Sequence, residues 1–309
     1  MEGLPRHGYL EFLPDSLEVV RTDVNLDKPG EIKDAVRILD EWIKQQKHYM
    51  KKDIDPVYLE TLIIMSKGSL ERAKAVLEKM FTVRALYPHY FELFDVQEEF
   101  QLIKEYSYIL PLPKMTKEYY RIVVWKFIGK FSDPKIMECV YRNIFLSQEY
   151  LKRYDYHTGG VLVYDLSECD LKDALTGVNL MELKNCYNIV FEGYGFRIKR
   201  IHLITASQIV YTFINFFRHF LKKKIFDRLT VHRSIDELHQ LYPKHILPKD
   251  FGGTERSLRE LQDDFLSHLS SEDFRAYMKD MVDAKIDESQ RVVGQNDGLD
   301  GTFRTLTID

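Results

Sequence analysis

The stretch FRIKRIHLITASQIVYTFINFFRHFLKKK, residues 196–224, is the part of the chain that says most about its fold. Its segment IHLIT is short, mostly apolar and partly β-branched, which is typical of a buried β-strand. Residues 208–221 are long enough for a helix and contain four phenylalanines. The stretch therefore predicts a buried strand that begins beside the cations Arg197, Lys199 and Arg200 and leads into an aromatic helix.

The apolar residues of this helix divide into two stripes when they are placed at helical spacing. One stripe comprises Ile209, Phe213, Phe216 and Phe220, and the other comprises Val210, Ile214, Phe217 and Leu221. Together the stripes span roughly 160°, wider than a single core contact normally needs. The helix is either buried on two sides by its own domain, or lines an apolar cavity with one stripe and meets a membrane surface with the other.

A run of cations adjoins the aromatic helix, although the chain as a whole has a net charge of -4. This basic run comprises Arg218, Lys222, Lys223, Lys224 and Arg228, and only Asp227 opposes it. Exposed apolar surface beside cations is typical of sites that bind anionic bilayers, where each cation contributes about 1 kcal/mol. The basic run therefore favours the membrane-facing interpretation.

The composition is that of an ordinary globular protein. Of 309 residues, 45% are hydrophobic and 30% are charged, and the acidic balance gives no general attraction for nucleic acid. Cys139, Cys169 and Cys186 lie far apart and form neither a zinc motif nor a disulfide framework. With no signal peptide and no long apolar run, the sequence predicts a soluble cytoplasmic protein.

The periodicity predicts an α/β protein that begins with a helical unit. Residues 1–29 are interpreted as an arm and residues 30–95 as an all-helical unit, in which Ser69 caps one helix. From residue 96 to 255, strands alternate with helices, which indicates a mainly parallel sheet. Residues 256–309 are expected to form a C-terminal helix and an acidic tail that is mobile after about Val282.

No motif predicts catalysis or a cofactor. The chain lacks GxSxG, GxxxxGK[ST] and HExxH, and EGYGF lacks the third glycine of a dinucleotide-binding loop. Ten histidines are scattered, and His202, in the middle of a predicted strand, is expected to be a hydrogen-bonded core residue or a surface residue. The sequence therefore predicts a protein that is not an enzyme and binds neither cofactor nor metal.

The segments GGVLVYDL, YGFRIKRIHLITAS and LPKDFGG resemble the CRAL-TRIO lipid-binding family, in particular its branch of α-tocopherol transfer protein and retinaldehyde-binding protein. LPKDFGG, residues 247–253, matches the Leu-Pro-x-(Glu/Asp)-(Tyr/Phe)-Gly-Gly ending of the family. The resemblance covers about residues 30–280. It implies a helical N-terminal bundle and an α/β sandwich, whose sheet forms the floor of an apolar cavity closed by a mobile gate helix. By the same resemblance, the aromatic helix is expected to occupy the gate position.

The resemblance also implies site residues. The positions that fall on the family's ligand pocket are Tyr164, Leu171, Ile189, Val190, Phe196, Ile201, Ile209, Phe213, Phe216 and Phe220. Arg197, Lys199, Lys224 and Arg228 match the basic positions that bind phosphoinositide head groups. Thr61, Ile64 and Ser66 stand where the family usually has arginines, and Cys169 replaces a bulky aromatic residue, so part of the head-group cleft is absent and the pocket wall differs.

These observations predict a carrier that binds a small hydrophobic lipid and exchanges it at anionic membranes, with transient peripheral association. The candidate ligands are isoprenoids or terpenoids (retinoid, tocopherol, carotenoid or sesquiterpenoid hormone) or a phospholipid, and the apolar pocket positions favour an isoprenoid. The alternative is a module that recognises phosphoinositide membranes and carries no cargo. An enzyme on an α/β scaffold has almost no residue support.

Overall fold

Helices form the first part of the fold, as the hydrophobic periodicity predicts. The structure, a computed structural model, describes residue 4 and residues 8–130, 133–218 and 222–291, apart from the side chains of residues 175 and 217. Helices α1 to α5 are Ser16–Thr22, Glu31–Gln45, Pro56–Met65, Leu70–Leu86 and Val96–Ile103. The Ser69 side chain accepts a hydrogen bond from the Arg72 N–H and begins α4, so the predicted cap is confirmed.

Helix α3 is buried around nearly its whole circumference. Every residue from Tyr58 to Met65 is buried. Thr61, Ile64 and Ser66 are at most 5% exposed, and the Thr61 hydroxyl donates to the Lys152 carbonyl oxygen at 2.7 Å. These three positions therefore face the protein interior, where a charged side chain without a partner would be costly.

In the described part of the chain, the sheet has five strands in the order β1-β2-β3-β4-β5, of which β2 to β5 are parallel and β1 is antiparallel to β2. The strands are Ser107–Met115, Tyr120–Gly129, Gly159–Cys169, Ile198–Ile204 and Leu229–His232. The predicted α/β fold with a mainly parallel sheet is confirmed. The sequence did not predict β1, because Pro111 and Pro113 each lack an N–H for the ladder, and strand prolines are tolerated chiefly at a sheet edge such as this one.

Seven further α-helices lie in the described part of the chain. Helices α6 to α12 are Pro134–Tyr154, Leu171–Gly177, Leu180–Asn188, Val210–Arg218, Lys223–Phe226, Leu258–Leu269 and Glu272–Asp280. Helix α8 runs directly into a π-helical turn, Ile189–Gly193, which packs against α4.

The two faces of the sheet belong to two different cores. Alternate strand residues point to opposite faces, so Ile122 and Val124 pack with the N-terminal helices and α11, whereas Val123 and Trp125 pack with α8 and α9. The same alternation separates Val163 from Tyr164 on β3. The second face is the one that carries the candidate site.

The glycine-rich ending of the domain closes a tight loop. Gly252 has a φ of 68°, in the left-handed region that favours glycine. A Cβ on Gly253 would overlap the backbone carbonyl of Leu247, and Pro248 forms a bridge with Glu255 across the loop. The LPKDFGG motif is thus explained by backbone geometry, because neither glycine position accommodates a side chain without strain.

The chain beyond α12 packs against the N-terminal helices. Ala284 and Ile286 are buried, Ile286 forms a β-bridge with Tyr49, and Arg291 pairs with Glu78 at 2.6 Å. The prediction of a mobile tail from about Val282 is therefore wrong as far as Arg291. Two small apolar anchors and main-chain hydrogen bonds hold this segment, a pattern too sparse for periodicity to detect. Residues 292–309 of the predicted tail lie outside the described residues.

Candidate functional site

An apolar cavity lies between the second face of the sheet and helices α6 to α10. The volume of this cavity is about 140 Å³, many times the volume that one water molecule needs on the same measure. Its walls are formed by Trp125, Phe127, Met137, Val140, Tyr141, Ile144, Tyr164, Leu166, Cys169, Leu171, Ala174, Val178, Leu183, Cys186, Tyr187, Ile201, Leu203, Val210, Phe213, Ile214, Phe226 and Leu229. None of these side chains carries a formal charge at neutral pH.

Helix α9 covers one side of the cavity. Val210 and Ile214 are buried and line it, and the half-buried Phe213 lines it between them. The opposite face of the helix, with Tyr211 and Asn215, is exposed. The helix is therefore amphipathic, and its apolar side forms part of the cavity wall.

The structure brings four of the predicted pocket residues into the wall of this cavity: Tyr164, Leu171, Ile201 and Phe213. Ile209 and Phe216 are half-buried on α9 or just before it and do not line the cavity, and Phe220 lies outside the described residues. Of the described residues in the stripe expected to face the ligand, only Phe213 lines the cavity. Val210 and Ile214 of the other stripe lie deeper.

Three other predicted pocket residues lie in the protein core. Ile189 and Val190 are fully buried in the π-helical turn, in the same core as the cavity but not in its wall. Phe196 packs onto Gly160, where a Cβ would overlap its ring. Their burial is explained by packing.

Phe196 also borders a second, much smaller cavity whose walls include polar side chains. Lys152, Gln148 and His157 line it, and burial lowers the pKa of Lys152 to about 8 and that of His157 to about 4. The space is that of about one water molecule. It is too small for a lipid, and Phe196 does not line the apolar cavity.

The sequence did not identify the wall contributed by α6 and β2. Met137, Val140, Tyr141 and Ile144 line the cavity from α6, and Trp125 and Phe127 line it from β2. The helical spacing of Val140 and Ile144 indicates one apolar side of α6, and the alternation of β2 places Trp125 and Phe127 on one face. Neither pattern says which of the two cores that side joins.

The four predicted basic positions lie near one another at the surface. Arg197 pairs with Asp23 at 2.7 Å, the Lys199 ammonium lies 5.1 Å from the centre of the Tyr120 ring, and Arg228 donates to the Ile198 carbonyl. Lys224 is exposed. The sheet edge formed by β4 and β5 thus carries several cations at one end.

Two cations from the N-terminal helices join them. Lys224, followed by burial and then Arg197, Arg72 and Arg228, lowers the pKa of Lys67, because like charges nearby disfavour the charged form. Lys67, Arg72, Arg197, Lys199, Lys224 and Arg228 are called the cation group below. Within the described part of the chain, Lys67, Arg72 and Lys224 have no carboxylate partner.

The two described cysteines in the cavity wall have thiols of raised pKa. Burial raises the pKa of the Cys169 thiol to about 12 and raises that of Cys186 further, so both are protonated and unreactive at neutral pH. Among the residues that the structure describes, no group of three or more His, Cys, Asp or Glu side chains could hold a metal ion.

His202 projects away from the cavity, into a buried hydrogen-bonded chain. Its Nδ1 lies 2.9 Å from His232 Nε2, and its Nε2 lies 2.8 Å from the Tyr242 hydroxyl. Burial, and then the charge of His232, lower the pKa of His202 to about 4. The prediction of a hydrogen-bonded core histidine is confirmed.

Residues 105–253 match the CRAL/TRIO domain. A mouse protein named alpha-tocopherol transfer protein-like is 23% identical over 273 residues, which are 86% of this chain and 78% of that protein. The human protein of the same name is 36% identical over 76 residues, 24% of this chain and 22% of its own. Residues 105–253 are therefore similar to a CRAL/TRIO domain, and the predicted resemblance to that family is confirmed.

Solved structures are also similar to the chain. The crystal structure of Sfh5 aligns with a TM-score of 0.44 at 14% sequence identity, covering 82% of this chain and 93% of that one.

In the part of the chain that the structure describes, no helix is both long and apolar enough to cross a membrane.

Proposed function

We propose that this protein carries a small hydrophobic lipid, an isoprenoid or terpenoid, within the apolar cavity and catalyses no reaction. The observation that carries the proposal is a cavity of about 140 Å³ whose described walls hold no charged side chain and which lies inside the segment similar to a CRAL/TRIO domain. The names of the mouse and human relatives also support a lipid carrier.

Burial of apolar surface supplies the driving force for binding. Removing apolar surface from water is worth about 25 cal/mol per Å², so a ligand with some 300 Å² of such surface gains several kcal/mol before entropy is deducted. Walls of aromatic and branched aliphatic groups suit an isoprenoid chain better than a charged phospholipid head group, whose burial without partners is costly.

Exchange of the lipid is proposed to occur by displacement of α9 at an anionic membrane. Outward movement of α9 would uncover Val210, Phe213 and Ile214, which would then contact the acyl chains of a bilayer. The cation group would hold the protein at anionic head groups, including phosphoinositides, through Arg and Lys contacts with phosphate. Lys67 and Arg72 would supply positive charge that the buried, uncharged Thr61, Ile64 and Ser66 do not.

A phosphoinositide-recognition module without cargo is the second candidate. The observation in its favour is the cation group, whose members Lys67, Arg72 and Lys224 are exposed and have no carboxylate partner among the described residues. Such a module would bind anionic vesicles but would not accelerate lipid movement between them.

A transfer assay tests the proposal. A fluorescent retinoid or tocopherol is placed in donor vesicles that contain phosphatidylinositol phosphates, and its appearance in acceptor vesicles is followed. The carrier is expected to raise the transfer rate in proportion to protein concentration. Vesicle binding without any transfer of either probe, or of a fluorescent phospholipid, would contradict the carrier function and favour the recognition module.

A further inference from the structure

Among the described residues, three hydrogen-bond donors in the cavity wall lack a partner at hydrogen-bond geometry, and one of them, the Tyr164 hydroxyl, still interacts with Tyr187. The indole N–H of Trp125 and the hydroxyl of Tyr141 are buried, and neither has a hydrogen-bond partner among the described residues. Trp125 is 3% exposed and Tyr141 is 1% exposed, and both side chains line the cavity. Such groups are seldom left unpaired in native structures, so they indicate a missing acceptor.

The two donors belong to different walls. Trp125 lies on β2, where the Tyr164 ring meets it edge-on with the ring centres 4.9 Å apart and restricts its orientation. Tyr141 lies on α6, where the Tyr90 ring meets it edge-on at 6.1 Å. A ligand between the sheet and α6 would therefore meet a donor on either side.

We propose, on the basis of the carrier function above, that the cavity selects a neutral lipid with an acceptor oxygen, such as a ketone, aldehyde or ester carbonyl. An indole N–H can only donate, and a carbonyl oxygen has two lone pairs and only accepts. A plain hydrocarbon leaves both donors unpaired. An ionised fatty acid has an acceptor, but it meets no cation among the described wall residues, so its charge is not compensated.

Three sesquiterpenoids with the same carbon chain separate these ligand classes: farnesene, methyl farnesoate and farnesoic acid. Their affinities are measured at pH 8, where the acid is ionised, by displacement of a fluorescent probe from the full-length protein. We expect methyl farnesoate to bind at least about tenfold more tightly than either of the others, since one recovered hydrogen bond is worth about that factor.

Two variants test the donors themselves. Tyr141→Phe keeps the ring and removes only the hydroxyl, and Trp125→Phe removes the indole N–H. Each is expected to reduce the preference for the ester over the hydrocarbon by about three- to tenfold, with little change in farnesene affinity for Tyr141→Phe. The matched control, Phe213→Leu, trims the wall without removing a donor, and should weaken all ligands by a similar factor.

The outcomes distinguish this inference from the carrier function. If farnesene and methyl farnesoate bind equally well, or if Tyr141→Phe and Trp125→Phe both leave the preference unchanged, the acceptor-oxygen inference is wrong and water satisfies the donors. If none of the three lipids, nor a retinoid or tocopherol, binds at all, it is the carrier function that fails.

Discussion

Phe213→Asp is expected to abolish lipid uptake while the protein stays folded. Phe213 lines the cavity from α9 and is half-buried, so an aspartate at this position can turn toward solvent in the empty protein. With a ligand bound, its carboxylate would lie against apolar surface with no cation among the described wall residues, at a cost of several kcal/mol. We expect affinity for a fluorescent isoprenoid to fall at least about 100-fold, with an unchanged far-UV circular dichroism spectrum.

A matched variant on the same helix separates the effect of the cavity from the effect of the charge. Asn215→Asp introduces the same carboxylate on the exposed face of α9, and is expected to bind the probe within about twofold of the unaltered protein. Full uptake by a folded Phe213→Asp protein would show that α9 does not form the wall of the ligand site.

Reversing two charges of the cation group is expected to detach the protein from anionic membranes. Arg72→Glu with Lys224→Glu removes two exposed cations, each worth about 1 kcal/mol near such a surface, so vesicle binding should fall at least about thirtyfold. Arg72 is three residues beyond the Ser69 cap, where a glutamate is favourable, so α4 should remain intact. Vesicle co-sedimentation measures the loss.

The control for that double variant carries the same change in net charge elsewhere. Lys47→Glu with Lys104→Glu alters two exposed lysines outside the cation group and should leave vesicle binding nearly unchanged. Salt should weaken the unaltered protein more than the double variant, since exposed charges are screened beyond about 8 Å at physiological ionic strength. Equal binding by both double variants would exclude the cation group as the membrane contact.

The sequence predicted those helices and strands whose apolar residues recur at a regular spacing. Strands β3 and β4 were predicted from their apolar runs, and helix α2 from its helical spacing of apolar residues opposite a charged face. Each pattern reflects burial of one or both faces of the element. Strand β1 was not predicted because its two prolines lower the β-strand propensity of the segment, although an edge strand tolerates prolines. The packed segment up to Arg291 was missed because Ala284 and Ile286 are too few to form a period.

The candidate site was predicted less completely than the fold, for a geometric reason. Periodicity assigns a residue to one face of its element, but only the tertiary arrangement decides whether that face meets the core or the cavity. Ile189 and Phe213 are both apolar residues of helical segments, and of the two only Phe213 lines the cavity. Lys67 and Arg72 were missed for the same reason, because more than a hundred residues separate them from Lys224 along the chain.

The most direct test of the carrier function is native mass spectrometry of the protein purified from its own tissue without detergent. We expect a stoichiometric adduct whose mass, after release and fragmentation, is that of a neutral isoprenoid, and we expect Phe213→Asp, expressed in the same tissue, to lack it. A folded protein that still binds vesicles but carries no lipid in any preparation would contradict the carrier function.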